Sequence, residues 1–172
     1  MSALEQIHAL YEYNEWANNH VLDAASGLSE EELSQELGAS FGTVQGNLWH
    51  AVGAQVLWLG RFTGPRPVEL PSLEAGQVLD VIHQAYQTSH EGLRRFVESL
   101  TAEGLPRMIS YVDTRGNAQE RPLWQAMLHV ANHGTHHRAE TALLLTSLRR
   151  PPRQLDYVFF EIERAGGAPR LD

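Results

Sequence analysis

Apolar positions recur near a 3.6-residue period in four long stretches of the chain, which predicts four amphipathic helices. Residues 3–25 place Leu4, Ile7, Tyr11, Ala17 and Val21 on one stripe, and Gly27 ends that helix. Ser29 and Glu32 have the spacing of a capping box for a short acidic helix. A second long helix is predicted over about 43–62, from Thr43 as N-cap to a stop at Gly64-Pro65. A third covers about 76–99, with Val78, Ile82, Tyr86, Leu93, Phe96 and Leu100 facing one way. Between these two, the proline-rich stretch 63–75 reads as an ordered connection rather than a flexible linker.

The pattern changes over 106–121. Met108, Ile109, Tyr111 and Val112 are strand formers, and the run Asp113 to Asn117 has turn chemistry, so a small hairpin is expected. Pro122 suits the first position of a fourth long helix running to about Leu148. Asp156 is a candidate cap for a short helix from Tyr157 to Glu163. The fold class that follows is all-α: a four-helix bundle with a small β-hairpin insertion before the last long helix. One domain over 1–165 is expected, with 166–172 as a loose C-terminal tail.

Composition narrows the chemistry. The 172 residues include no cysteine, and all 13 basic residues are arginine, against 21 acidic residues and 9 histidines. Without cysteine there is no disulfide, thiolate nucleophile, iron–sulfur cluster or cysteine-ligated zinc. Without lysine there is no Schiff base and no P-loop lysine. The net charge of −8 disfavours nucleic acid as a partner. The cluster Arg149-Arg150-Pro151-Pro152-Arg153 lacks interleaved aromatics and reads as a solvated loop. No signal peptide is visible and no apolar run approaches the ~20 residues that span a bilayer, so a cytoplasmic protein without a membrane partner is expected.

Four of the histidines fall within residues 129–137. On the helical wheel, Leu123, Met127, Val130, Gly134, Thr141, Leu144, Leu145 and Leu148 define the apolar stripe. His137 lies inside it and His133 at its edge, while His129 and His136 lie further round toward the boundary or solvent, with His129 a candidate to support His133 or replace it as a ligand. Two inward imidazoles at i, i+4 need partners, and that spacing brings both rings to one metal ion. Hydrogen-bonded core histidines are the alternative; the inward direction of both rings and the small Gly134 and Thr141 beside them favour metal. Glycine at 134 stands where a HExxH protease places its glutamate, which excludes that mechanism.

A third ligand must be His, Asp or Glu from another helix, and His50 is the leading candidate. On the wheel, however, His50 lies nearly opposite Leu48, Val52 and Leu59, beside Ala54 and Leu57. A helix apolar on both sides is buried on both sides, so an inward His50 is allowed but not assigned. His8, His20, His83 and His90 sit among polar neighbours and are expected at the surface. Trp16 and Trp124 are candidates either for an interface or for the core.

Four segments together resemble the DinB family: Tyr13 to Asn18, His50 to Arg61, His129 to Arg138, and Leu155 to Phe160. The resemblance extends over about residues 3–163. It implies a four-helix bundle, a divalent-metal site formed by His50, His133 and His137, and a homodimer. Zinc or nickel is expected ahead of iron or manganese. Two departures stand out: Gln55 occupies a position that is commonly acidic in relatives, and Ala139-Glu140 replaces a common Gly-Gln. Glu140 is close to the site in helical register and is a candidate to restore a carboxylate there.

Three protein ligands leave positions on a divalent ion open for water or substrate, the arrangement of catalytic rather than structural zinc. The resemblance implies either a thiol-dependent S-transferase acting on small electrophiles with a low-molecular-weight thiol, or a hydrolase that activates water at the metal. A non-catalytic, metal-stabilised binding bundle is the third reading. Arg138 is a candidate for orienting an anionic small-molecule substrate, or for pairing with Glu140 or Glu161.

Overall fold

The computed structural model describes residues 1–64, 70, 72–73 and 76–168. Most of the proline-rich connection, and residues 169–172 of the expected tail, lie outside the described residues. Helix α1 spans Ala3–Ala25 and opens on a capping box, with Ser2 Oγ accepting from the Glu5 backbone N–H and the Glu5 carboxylate accepting from that of Ser2. The short α2, Glu30–Ser34, carries the expected box between Ser29 and Glu32. Helix α3, Val44–Thr63, starts at Thr43, whose hydroxyl accepts from the Gly46 N–H at 2.9 Å.

Helix α4 covers Val78–Glu98. The hairpin that follows pairs β1, Met108–Val112, antiparallel with β2, Ala118–Pro122, in the register Met108↔Pro122 to Val112↔Ala118. Asp113 closes its turn: one carboxylate oxygen accepts from the N–H groups of Arg115 and Asn117, and Gly116 supplies the positive φ of 86°. Helix α5 spans Leu123–Ser147, with Pro122 just before the helix as N-cap rather than as its first residue. Its position is set from outside the helix, since the carbonyls of Arg107 and Leu105 accept the N–H groups of Leu123 and Trp124. A final short helix, α6, covers Tyr157–Arg164.

The four long helices form the bundle: α1 packs on α4 and α5, and α3 packs on the same two. Two separate apolar clusters fill it, one on either side of its middle. One joins Val21, Leu48, Val52, Ile82, Tyr86 and Leu145; the other joins Tyr11, Phe62, Leu93, Leu123, Met127 and Val130. Between them the interior is polar, and both the histidines and a buried hydrogen-bond network lie there. Trp16 belongs to a third cluster with Tyr13 and Phe160 and donates its indole N–H to Glu163, whereas Trp124 is exposed. Among the described residues, no helix is long and apolar enough to cross a membrane.

Candidate metal centre

The stripe on α5 turns as its periodicity predicts. Met127, Val130, Gly134, Thr141, Leu144 and Leu145 are buried, and His129 and His136 are exposed. His137 is 5% exposed and His133 half-buried. From the facing helix α3, His50 projects into the same space. Its Nε2 lies 3.4 Å from Nε2 of His133. The ring centroid of His137 is 4.6 Å from that of His50 and 4.4 Å from that of His133. One ligand nitrogen from each of the three rings lies within 4.8 Å of the other two.

That separation fits a shared cation. Two imidazole nitrogens, each about 2.0–2.1 Å from a tetrahedral zinc ion, lie about 3.4 Å apart. Without an ion the two Nε2 atoms are within hydrogen-bonding reach in partial burial, one donating and the other accepting according to tautomer. Desolvation depresses the His133 pKa to about 4, with the neighbouring His137, His50, His129 and His136 acting in the same direction. His50 is lowered too, first by desolvation and then by His137, while Glu140 opposes the shift. Neutral imidazoles with available lone pairs are the form that binds metal.

The surroundings brace the rings. Glu140 Oε2 accepts from Nδ1 of His137 at 2.9 Å, and Ser40, in the loop between α2 and α3, donates to the other carboxylate oxygen. Phe41 from that loop stacks on His50, with ring centroids 3.8 Å apart and 19° between the planes. His129 does not join the three; its ring packs against Trp58 at 5.2 Å. His136 is exposed, with Nε2 3.5 Å from Glu140 Oε1.

Two sequence expectations are corrected. Arg138 does not reach toward the metal centre, and it pairs with neither Glu140 nor Glu161. One residue past His137 the helix has turned by about 100°, which points Arg138 at α1. There it is 4% exposed. Its Nη1 donates to Asn14 Oδ1 at 2.6 Å and to Asn18 Oδ1 at 3.0 Å, and its Nη2 donates to Thr135 at 2.9 Å. His90 is not at the surface either. It is 5% exposed, and its Nε2 accepts from Asn18 Nδ2 at 3.0 Å. His8, His20 and His83 are partly exposed.

The corrected residues belong to one network that joins all four long helices. Asn14 and Asn18 of α1 accept hydrogen bonds from Arg138 of α5 and donate to Gln55 of α3, and Asn18 also donates to His90 of α4. Gln55 thus faces this network rather than the histidine cluster. Gly134 makes room for it: a Cβ there would stand 2.6 Å from Asn14 Oδ1 and 2.8 Å from Arg138 Nη1. The sequence signal for the network was present, because Asn14 and Asn18 lie one turn apart between Tyr11 and Val21, on the apolar stripe of α1. His90 likewise continues the stripe of Ile82 and Tyr86.

A four-helix bundle with three imidazoles converging from two facing helices defines the class, a compact helical protein with a metal-type histidine cluster in its interior. The chain belongs to the DinB family, which it matches over residues 1–168. It is similar to Protein DinB of Bacillus subtilis (strain 168), with 22% identity over 155 residues, covering 86% of this chain and 89% of that protein.

Proposed function

We propose that the protein is a divalent-metal-dependent enzyme that uses His50, His133 and His137 to transfer a low-molecular-weight thiol to a small electrophile. The observation that carries this reading is the convergence of three ring nitrogens, with no fourth histidine or carboxylate in the same group among the described residues. A three-ligand site leaves room for an exchangeable group, as catalytic sites require. Bound there, a divalent ion, zinc or nickel first, supplies Lewis acidity that favours the thiolate over the thiol. The chain has no cysteine, so the thiol is a second substrate. Burial, and then neighbouring imidazoles, depress the pKa of both His50 and His133, which favours the neutral rings that a metal binds, and Phe41 covers one face of His50.

The test is thiol-dependent loss of a model electrophile with metal-loaded protein, abolished by His137→Ala. Ester or amide cleavage without added thiol would instead assign the hydrolase reading. Retained metal with no turnover on either panel would leave a binding bundle.

The same reading takes the working unit as a homodimer. An apolar groove of about 670 Å³, lined by Ile7, Leu10, Leu105, Trp124, Leu128 and Tyr157, supports it. Sedimentation of wild type against Trp124→Asp tests that part: a dimer converted to monomer is expected.

A further inference from the structure

We propose that Glu140 is a positioning residue for the metal centre: its carboxylate holds His137 as the Nδ1–H tautomer, so that Nε2 is the nitrogen offered to the ion, and Ser40 holds the carboxylate. This rests on the metal reading above.

A neutral imidazole carries one proton, and its partners decide which nitrogen keeps it. An ionised carboxylate only accepts hydrogen bonds. Glu140 Oε2 at 2.9 Å from Nδ1 therefore keeps the proton on Nδ1 and leaves the lone pair on Nε2. At 5% exposure, His137 has little water to compete for either nitrogen. Among the described residues, Glu140 is the one carboxylate hydrogen-bonded to any of the three rings.

The brace has a long-range component. Ser40 lies 100 residues before Glu140 in sequence, yet its hydroxyl donates to Oε1. The next residue, Phe41, stacks on His50 and meets the His137 ring edge-on at 5.6 Å. One loop thus supports ligands on both helices, α3 by stacking and α5 through the carboxylate. The loop turns sharply to do so: Gly38, Ala39 and Gly42 have φ of 88°, 71° and 69°, and the Leu37 N–H donates to the Gly42 carbonyl at 2.9 Å. Such outer partners orient the ring and raise its basicity toward a metal.

A competing assignment makes Glu140 a ligand, since it also groups with His136 and His137. Zinc titration against a chromophoric chelator, on wild type, Glu140→Ala, Glu140→Gln and Ser40→Ala, separates the two. The expected result is one ion per wild-type chain, with affinity about 10–100-fold weaker in Glu140→Ala, the usual loss for such partners. Ser40→Ala falls a few-fold in the same direction. Glu140→Gln lies between wild type and Glu140→Ala, because an amide oxygen still accepts from Nδ1–H without the charge. Long-range 1H–15N spectra of the metal-free proteins at pH 8 should show the Nδ1–H tautomer of His137 in wild type and its loss in Glu140→Ala. Two ions per wild-type chain, one of them lost in Glu140→Ala, would overturn the proposal by making Glu140 a ligand. An unchanged tautomer in Glu140→Ala would overturn it as well. If wild type binds no zinc, the metal reading fails, and the tautomer spectrum alone decides what Glu140 does to His137.

Discussion

Asn18 on α1 donates to the Nε2 of His90 on α4 at 3.0 Å, a hydrogen bond that only a neutral imidazole accepts. Burial, followed by the charges of Arg94 and Arg138, lowers the His90 pKa to about 4. The folded state therefore binds fewer protons than the unfolded state between that value and about 6.5. The stability this contributes is complete above about pH 6.5 and is lost as the pH falls through 4, with a slope of up to about 1.4 kcal/mol per unit. In metal-free protein His133 adds to the same trend, so the informative quantity is a difference. Urea midpoints from pH 7.5 to 4.5 should fall less steeply in His90→Gln, which accepts the same hydrogen bond without titrating. Equal slopes would sink the prediction.

Metal removal should loosen the bundle. A ligand that binds only the folded state at 100 times its Kd adds about 2.7 kcal/mol. Melting should therefore shift downward on chelation at pH 7.5, and the shift should shrink as acid protonates the ligands. His50→Ala or His133→Ala should remove the difference between the loaded and chelated forms. Identical melting with and without chelator across pH 5 to 8 would contradict it.

Gly134 is the rare helix position where alanine is expected to do harm. Alanine is the better helix former by about 0.8–1 kcal/mol. Here its methyl would press on Asn14 and Arg138, whose side chains are locked in the network. Overpacking of that kind costs about 1–3 kcal/mol. Urea unfolding of Gly134→Ala should show a net loss, and a gain in midpoint would show that the network yields easily.

Arg138→Ala separates stability from metal binding. It leaves two buried amide oxygens, on Asn14 and Asn18, without their donor, at a cost of about 2–4 kcal/mol. Because Arg138 faces α1, zinc affinity should stay within a few-fold of wild type under conditions where the variant is folded. A large drop in affinity at intact fold would place Arg138 in the metal site after all.

Reading residues along each helix located most of the architecture. The period of Leu4, Ile7 and Tyr11 found α1, and Ser29 with Glu32 found α2. The switch to strand formers at Met108 found the hairpin. The same arithmetic put His133 and His137 on the inner side of α5, as the structure has them. Polar neighbours in sequence mislead at His90, which continues the stripe of Ile82 and Tyr86 and is buried with it. Charge misled at Arg138, suggesting a role at the metal site where the helical angle points to α1 instead.

Sequence alone determined the element order, the all-α class and the donor chemistry: with no cysteine, any metal shell here is imidazole, carboxylate and water. Tertiary structure decided which of these donors meet. A helical period specifies the angle of a side chain about its own axis and says nothing of which helix lies opposite. His50 therefore became a partner of His133 only once α3 faced α5. Glu140 found Ser40, and Asn18 found His90, for the same reason: contacts between residues far apart in the chain exist only when the bundle has closed.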